Sequence, residues 1–136
     1  MKYPVFRGIG RNQPPDDWRF GAHSHTNCEV IIINEGSEKV ETKHGTFLAV
    51  PGDILFFKPG VVHREWSMPG KKLDTFFFLF DFNPPDKWPI KVKDARGRAW
   101  MIAEWIYEER YSGSHCSNAA VNSFLTSFLA EFARLV

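Results

Sequence analysis

Three Pro-Gly pairs constrain the fold of this chain more than any other feature. They occupy positions 51–52, 59–60 and 69–70, and the segments around them are short and rich in β-branched and aromatic residues. Proline and glycine favour tight turns, because proline fixes φ and glycine readily adopts positive φ. Short strands at nearly regular spacing, joined by such turns, are typical of a barrel or jelly roll. We therefore predict a mainly β protein, with about eight strands and a barrel over residues 18–83.

Two histidines and a glutamate, His23, His25 and Glu29, stand at alternating positions near the start of this region. A strand repeats every two residues, so these side chains are predicted to share one face. In a barrel that face is the interior, where polar groups need a partner. His63 follows the Pro59-Gly60 turn and is expected to join them from another strand. The four side chains predict a buried site for a metal, an organic ligand or water.

The hydrophobic pattern changes after the predicted barrel. Residues 75–80 are apolar on both faces of a strand, which therefore needs cover outside the barrel as well as inside. A proline-rich linker is predicted at 84–94, and helical periodicity follows over 95–136. Residues 1–17, with turn chemistry in their second half, are interpreted as an arm lying over the barrel.

The helical region is predicted to contain two helices. Ser112-Gly113-Ser114 separates them, and Asn118 is expected to cap the second. The second helix has a broad apolar stripe that includes Phe124, Phe128 and Phe132. Part of this stripe should cover the barrel, and the surplus is expected to form a homodimer.

Charge and composition exclude several classes of function. A net charge of +1 gives no excess of positive charge that would indicate binding to nucleic acid or to a membrane. The longest apolar stretch, 76–80, is too short to span a membrane, and the N-terminus lacks a signal-peptide pattern, so we expect a cytoplasmic protein. The two cysteines, Cys28 and Cys116, fit no disulfide framework and no metal spacing. Cys28 has the opposite strand parity from Glu29, so its side chain is expected to face away from the predicted site. Both are expected to be reduced thiols.

The spacing H-x-H-x3-E-x6-G from His23 to Gly36, followed by G-x6-P-G-x2-H from Gly52 to His63, resembles the two motifs of the cupin superfamily. This resemblance implies a double-stranded β-helix barrel in which such residues often hold a divalent metal. With the helix pair, the segment 52–63 resembles more narrowly the N-terminal effector-sensing domain of AraC-type transcription regulators. That resemblance implies an effector inside the barrel, dimerisation through the helices, and a DNA-binding domain expected beyond residue 136.

Two functions remain open from the sequence. The first is an effector-sensing and dimerisation domain that binds a sugar or small acid through His23, His25, Glu29 and His63, with no catalytic residue and no required cofactor. DNA would be a partner only through the domain beyond residue 136. The alternative is a stand-alone metal-dependent cupin enzyme, a dioxygenase or isomerase. In that case the same four side chains would hold zinc, iron, manganese or nickel.

Overall fold

The computed structural model of the chain describes residues 3–136, which form nine strands and two helices. The helices, α1 (Arg98–Arg110) and α2 (Ser117–Leu135), follow the last strand. Within residues 3–136, no helix is long and apolar enough to cross a membrane. The strands are β1 (Val5–Asn12), β2 (Arg19–His23), β3 (Cys28–Glu35), β4 (Glu38–Thr42), β5 (Gly45–Ala49), β6 (Asp53–Phe57), β7 (His63–Ser67), β8 (Asp74–Asp81) and β9 (Lys91–Lys93).

The strands form two antiparallel sheets. One has five strands in the order β1-β8-β3-β6-β9, and the other has four in the order β2-β7-β4-β5. An inner core between the sheets receives side chains from both, including Ile31 of β3, Val40 of β4 and Leu55 of β6. The predicted mainly β jelly-roll barrel with a C-terminal helix pair is confirmed.

The five-stranded sheet is buried on both faces. Along β8, Phe76, Phe78 and Phe80 belong to an outer core that the helices cover. The ring of Phe78 meets that of Phe128 in α2, with centroids 4.9 Å apart, and Phe76 meets Trp100 in α1 at 4.6 Å. The doubly apolar pattern of this strand therefore indicated correctly that something packs outside the barrel.

Cys28 also lies in the outer core, away from the barrel interior, as its parity predicted. Its Sγ donates a hydrogen bond to the carbonyl of Phe82 at 3.4 Å. Burial, together with the nearby Asp81 carboxylate, raises the pKa of this thiol to about 11. Cys28 is therefore a neutral packing group at physiological pH.

The N-terminal segment and the linker contain more strand than the sequence predicts, which allows only a possible short strand around residues 3–6. Residues 5–12, interpreted as part of an arm, form β1 and pair with β8, with Ile9 opposite Phe78. Gly10 lies so close to the Phe77 ring that a Cβ there would collide with it. This glycine, interpreted as turn chemistry, instead allows two strands to approach closely. Residues 91–93 of the linker form β9 at the other edge, and residues 1–2 lie outside the described part.

The helix starts differ from the predicted ones. The carboxylate of Asp94 accepts hydrogen bonds from the backbone N–H groups of Ala99 at 3.2 Å and Trp100 at 3.1 Å in the first turn of α1, whose N-cap residue is Gly97. The second helix begins at Ser117, after a turn in which its N–H bonds to the Ser114 carbonyl. Asn118 therefore lies inside α2, and its prediction as the cap was wrong. The local sequence has polar residues near the start of each helix, so it did not show which residue would begin α1 or α2.

The apolar stripe of α2 contributes less to the surface than expected. Phe128 and Phe132 are fully buried in the outer core, so these two rings are not available to a partner. Phe124 is half-buried and packs against Trp105 of α1, with centroids 5.6 Å apart. The homodimer stays a prediction, and within α1 and α2 the exposed large apolar side chains are Trp105 and Met101.

Candidate functional site

The four residues predicted as a site come together in the structure. One ligand atom from each of His23, His25, Glu29 and His63 lies within 4.8 Å of the other three. Their placement does not follow from one continuous strand, because β2 ends at His23 and β3 begins only at Cys28. His23 and His63 come from the four-stranded sheet, Glu29 from the five-stranded sheet, and His25 from the connection between them. Packing of the two sheets assembles the site.

His63 and Glu29 form its most buried contact. The Nε2 of His63 lies 2.9 Å from Oε1 of Glu29, and its Nδ1 lies 3.0 Å from the Val61 carbonyl oxygen. Since a carbonyl only accepts, Nδ1 must be the donor there. Nε2 therefore needs a proton, or a bound cation, to face the carboxylate. Burial acts to lower the pKa of His63, but the Glu29 and Val61 hydrogen bonds and the Glu65 charge raise it overall.

The other two histidines differ in how their nitrogens are used. His23 Nδ1 donates to the Gly21 carbonyl at 2.8 Å, so its Nε2 is available on the side of Glu65, 3.8 Å away. His25 Nε2 lies 3.5 Å from Oε1 of Glu29 and is buried without a hydrogen-bond partner among residues 3–136. A buried polar atom without a partner is costly, which makes His25 Nε2 a place for a ligand atom.

Two further glutamates, Glu65 and Glu38, adjoin this cluster. Glu65 lies two residues after His63, on the same face of β7, and lines the cavity. Glu38 was missed because the alternating polar residues that follow it, 39–43, are typical of a surface strand, yet Glu38 is only 1% exposed. Val40, two residues on and buried in the inner core, was the signal that this face of β4 points inward.

The two added carboxyl groups lie close enough to shift each other's pKa. Burial raises the pKa of Glu38 well above its ordinary value, and the charge of Glu65 adds to this. Burial also raises the pKa of Glu65, while the hydrogen bond from Glu38 opposes the shift. Burial therefore favours the neutral form of Glu38, and Oε2 of Glu65 lies 3.7 Å from Nε2 of His63.

A cavity of about 270 Å³ opens beside the cluster, inside the barrel. Its lining combines the polar side chains of His23, His25, Glu29 and Glu65 with apolar and aromatic ones, whereas His63 does not line it. Its size suits a small organic molecule. The remaining lining residues are Asn12, Trp18, Phe20, Ile31, Thr75, Phe77 and Leu79.

The residues present also fit a metal ion. Three imidazoles and one carboxylate are a donor set that zinc, iron, manganese and nickel accept. The carbonyls of Gly21 and Val61 fix Nδ1 of His23 and His63, which leaves each Nε2 facing the centre. Donors at about 2.1 Å from an ion lie at most about 4.2 Å apart. The observed spread of up to 4.8 Å would need only a small contraction.

The family profile described as AraC-like ligand binding domain matches residues 8–89, which is more than half of the chain. The chain belongs to the family of AraC-like ligand-binding domains. The match runs from β1 to the segment before β9 and includes every residue of the cluster. The resemblance to the cupin superfamily and to AraC-type sensor domains is thereby confirmed.

Similar solved structures have low sequence identity to this chain. The protein YhaK from Escherichia coli superposes with a TM-score of 0.58 and 19% identity, over 71% of this chain and 46% of its own. A cupin superfamily protein from Desulfitobacterium hafniense gives a TM-score of 0.49 at 15% identity, over 60% of this chain and 71% of its own. A variant of oxalate decarboxylase from Bacillus subtilis gives a TM-score of 0.41 at 21% identity, over 52% of this chain and 20% of its own. No curated protein matches this sequence significantly. The chain spans less than half of YhaK.

Proposed function

We propose that this chain is the effector-sensing part of an AraC-type transcription regulator, and that a small molecule binds in the barrel cavity against His23, His25, Glu29 and His63. The observation that carries the proposal is the unpartnered, buried Nε2 of His25 beside a cavity of about 270 Å³. Membership of the AraC-like ligand-binding family supports the same role. Because binding must favour one state of the regulator, the effector must contact a part that moves.

The helix pair is proposed as the dimer contact of this regulator. Trp105 is 43% exposed and Met101 40% exposed, four residues apart on α1 and therefore on one face. Phe124 of α2 extends this apolar face, since its ring adjoins Trp105. DNA binding would belong to a separate domain of the regulator, because the net charge of +1 offers no basic surface for it.

The specific observation that favours the alternative, a metal-dependent cupin enzyme, is the fit of the four donors to a divalent ion. His23, His25, Glu29 and His63 would hold such an ion, which would supply Lewis acidity toward a bound substrate. Without it, these residues position and hydrogen-bond a ligand but include no activated nucleophile. The two functions therefore predict different metal contents.

One experiment tests the proposal and separates it from the enzyme. The chain, purified without a histidine tag, is analysed for metals and then screened by thermal shift against sugars and small organic ions. His25→Ala and His63→Ala are compared with His44→Ala, a matched change in an exposed turn. Ligand-dependent shifts that occur without metal and disappear only in the first two variants support the sensor. Stoichiometric metal lost in those variants supports the enzyme, and shifts that persist in both place the site elsewhere.

A further inference from the structure

The polar end of the cavity has two carboxyl groups, those of Glu29 and Glu65, and a third, that of Glu38, lies beside Glu65. Glu29, Glu38 and Glu65 are 7%, 1% and 5% exposed. The residues that line the cavity include no lysine and no arginine, so the imidazoles are the only basic groups at this end. Buried carboxylates are stable only when a counter-charge or donor satisfies them.

The acceptors at this end are not all used by the protein. Both histidine contacts to Glu29 use its Oε1 atom, at 2.9 Å for His63 and 3.5 Å for His25. Glu65 Oε2 lies 3.7 Å from His63 Nε2 and 3.8 Å from His23 Nε2, which is too far for a hydrogen bond. The cavity therefore presents carboxylate oxygens to a ligand, and a ligand that only donates matches them. An ammonium group has three N–H donors and no acceptor, whereas a ligand carboxylate would face like charges.

The rest of the lining is largely apolar and suits the rest of such a molecule. It comprises an aromatic wall of Trp18, Phe20 and Phe77, together with the aliphatic side chains of Ile31 and Leu79 beside Glu29. The Phe20 ring also contacts the His23 imidazole edge to face, with centroids 4.2 Å apart, so the aromatic wall reaches the polar end. Aromatic faces attract cations, and this attraction strengthens where water is excluded.

We infer that the cavity selects small organic ammonium compounds with an apolar body, and rejects carboxylic acids. The ammonium group would bind between Glu29 and Glu65, and the apolar body would lie along the aromatic wall. This inference rests on the proposed function, since it names the ligand class of the same cavity. It replaces the sugar or small acid expected from the sequence with a different class of ligand.

The test uses three probes with one common ring and different heads: phenethylamine, phenethyl alcohol and phenylacetate. Their binding to the whole 136-residue chain, freed of metal with EDTA, is measured by calorimetric titration near neutral pH. Phenethylamine should bind about tenfold or more tightly than the other two, because a hydrogen bond between charged groups contributes about 1.5–3 kcal/mol. Glu65→Gln should remove most of this preference, and Glu65→Asp should restore part of it. Glu41→Gln, an exposed change on β4, should leave it unaltered.

The inference is overturned if phenylacetate or phenethyl alcohol binds as tightly as phenethylamine, or if any probe binds only after zinc is added. It is also overturned if none of the three binds. Sensing itself is judged separately, by the ligand screen with His25→Ala. A neutral sugar that binds through His25 would refute the ammonium class and leave the sensor intact. A chain that binds nothing in either experiment would refute both. The comparison among the probes needs only the unaltered chain, so an unstable variant does not prevent the test.

Discussion

The ring of Phe57 lies flat against the imidazole of His63, with centroids 3.8 Å apart and an angle of 1° between the planes. The preceding residue, Phe56, belongs to the outer core and contacts Phe132 of α2 with centroids 5.0 Å apart. Neighbouring residues of a strand face opposite sides, so β6 separates the site from the helix by two adjacent rings. A shift of His63 on ligand binding therefore has a short packed route to α2.

Phe57→Leu should weaken effector binding, because it removes the ring that fixes the orientation of His63. We expect a loss of about threefold to tenfold in affinity and about 1–2 kcal/mol in the free energy of unfolding. Titration with a ligand from the screen and urea denaturation measure the two effects. Phe47→Leu is the control, since that half-buried ring packs beside Lys91 and not against a histidine. Equal losses of affinity in both variants would show that the stack has no special role.

His63 and Glu29 should be energetically coupled. His63→Ala leaves a buried carboxylate without its donor, which should cost about 1–3 kcal/mol of stability. In the double variant His63→Ala with Glu29→Gln, the loss should be smaller than the sum of the single losses by about 1 kcal/mol or more. Urea denaturation of the four proteins at pH 7 supplies the cycle. Additive losses would mean that the 2.9 Å contact contributes no pairwise stability.

Stability should fall in acid through Asp74. The two hydrogen bonds from Arg11, at 2.9 and 2.7 Å, and one from Asn34 lower the pKa of this carboxyl below its ordinary value. The contribution of Asp74 to the free energy of unfolding is therefore complete above the pKa of the unfolded state, about 3.9. It is lost as the pH falls through the lower pKa of the folded state. Asp74→Asn should cost about 1 kcal/mol at pH 7 and progressively less below pH 4. Urea denaturation across this range is the measurement, with Asp86→Asn in a loop as the control. A cost for Asp74→Asn that stays constant with pH would contradict the assignment.

The chain should form a dimer through the exposed face of α1. Trp105→Glu should convert it to a folded monomer, because a charge at a 43% exposed position disrupts a contact without entering the core. Phe128→Glu should instead unfold the chain, since that ring is fully buried. Light scattering at micromolar concentration and circular dichroism distinguish these outcomes. Lys71→Glu, in the turn before β8, should stay dimeric, and an unaltered dimer in Trp105→Glu would rule out this face.

DNA binding by the 136-residue chain should be weak and independent of sequence. The chain has 17 lysine and arginine residues against 16 acidic residues, so few phosphates would be neutralised. A mobility shift at increasing salt measures this, with an unrelated DNA of equal length as the control. A sequence-specific complex that resists salt would contradict the prediction.

Local chemistry in the sequence was enough to predict most of the strands and the cluster of His23, His25, Glu29 and His63. The Pro-Gly turns at 51–52 and 59–60 limit strand lengths whatever surrounds them, because proline and glycine act on their own backbone. The spacing of His23, His25, Glu29 and His63 identified the cluster, although the reason given for it, one continuous strand, was wrong. The doubly apolar pattern of 75–80 correctly predicted the outer cover, since an apolar face must be buried wherever it lies.

The tertiary structure alone decided what depends on contacts between distant segments. Edge pairing made residues 5–12 a strand, and sheet packing buried Glu38 beside Glu65. Phe128 and Phe132 look the same in sequence whether they cover a barrel or a partner, and only the position of α2 against the five-stranded sheet assigns them to the core. These outcomes depend on which faces meet across the fold, and the periodicity of a single segment contains no information about its partner.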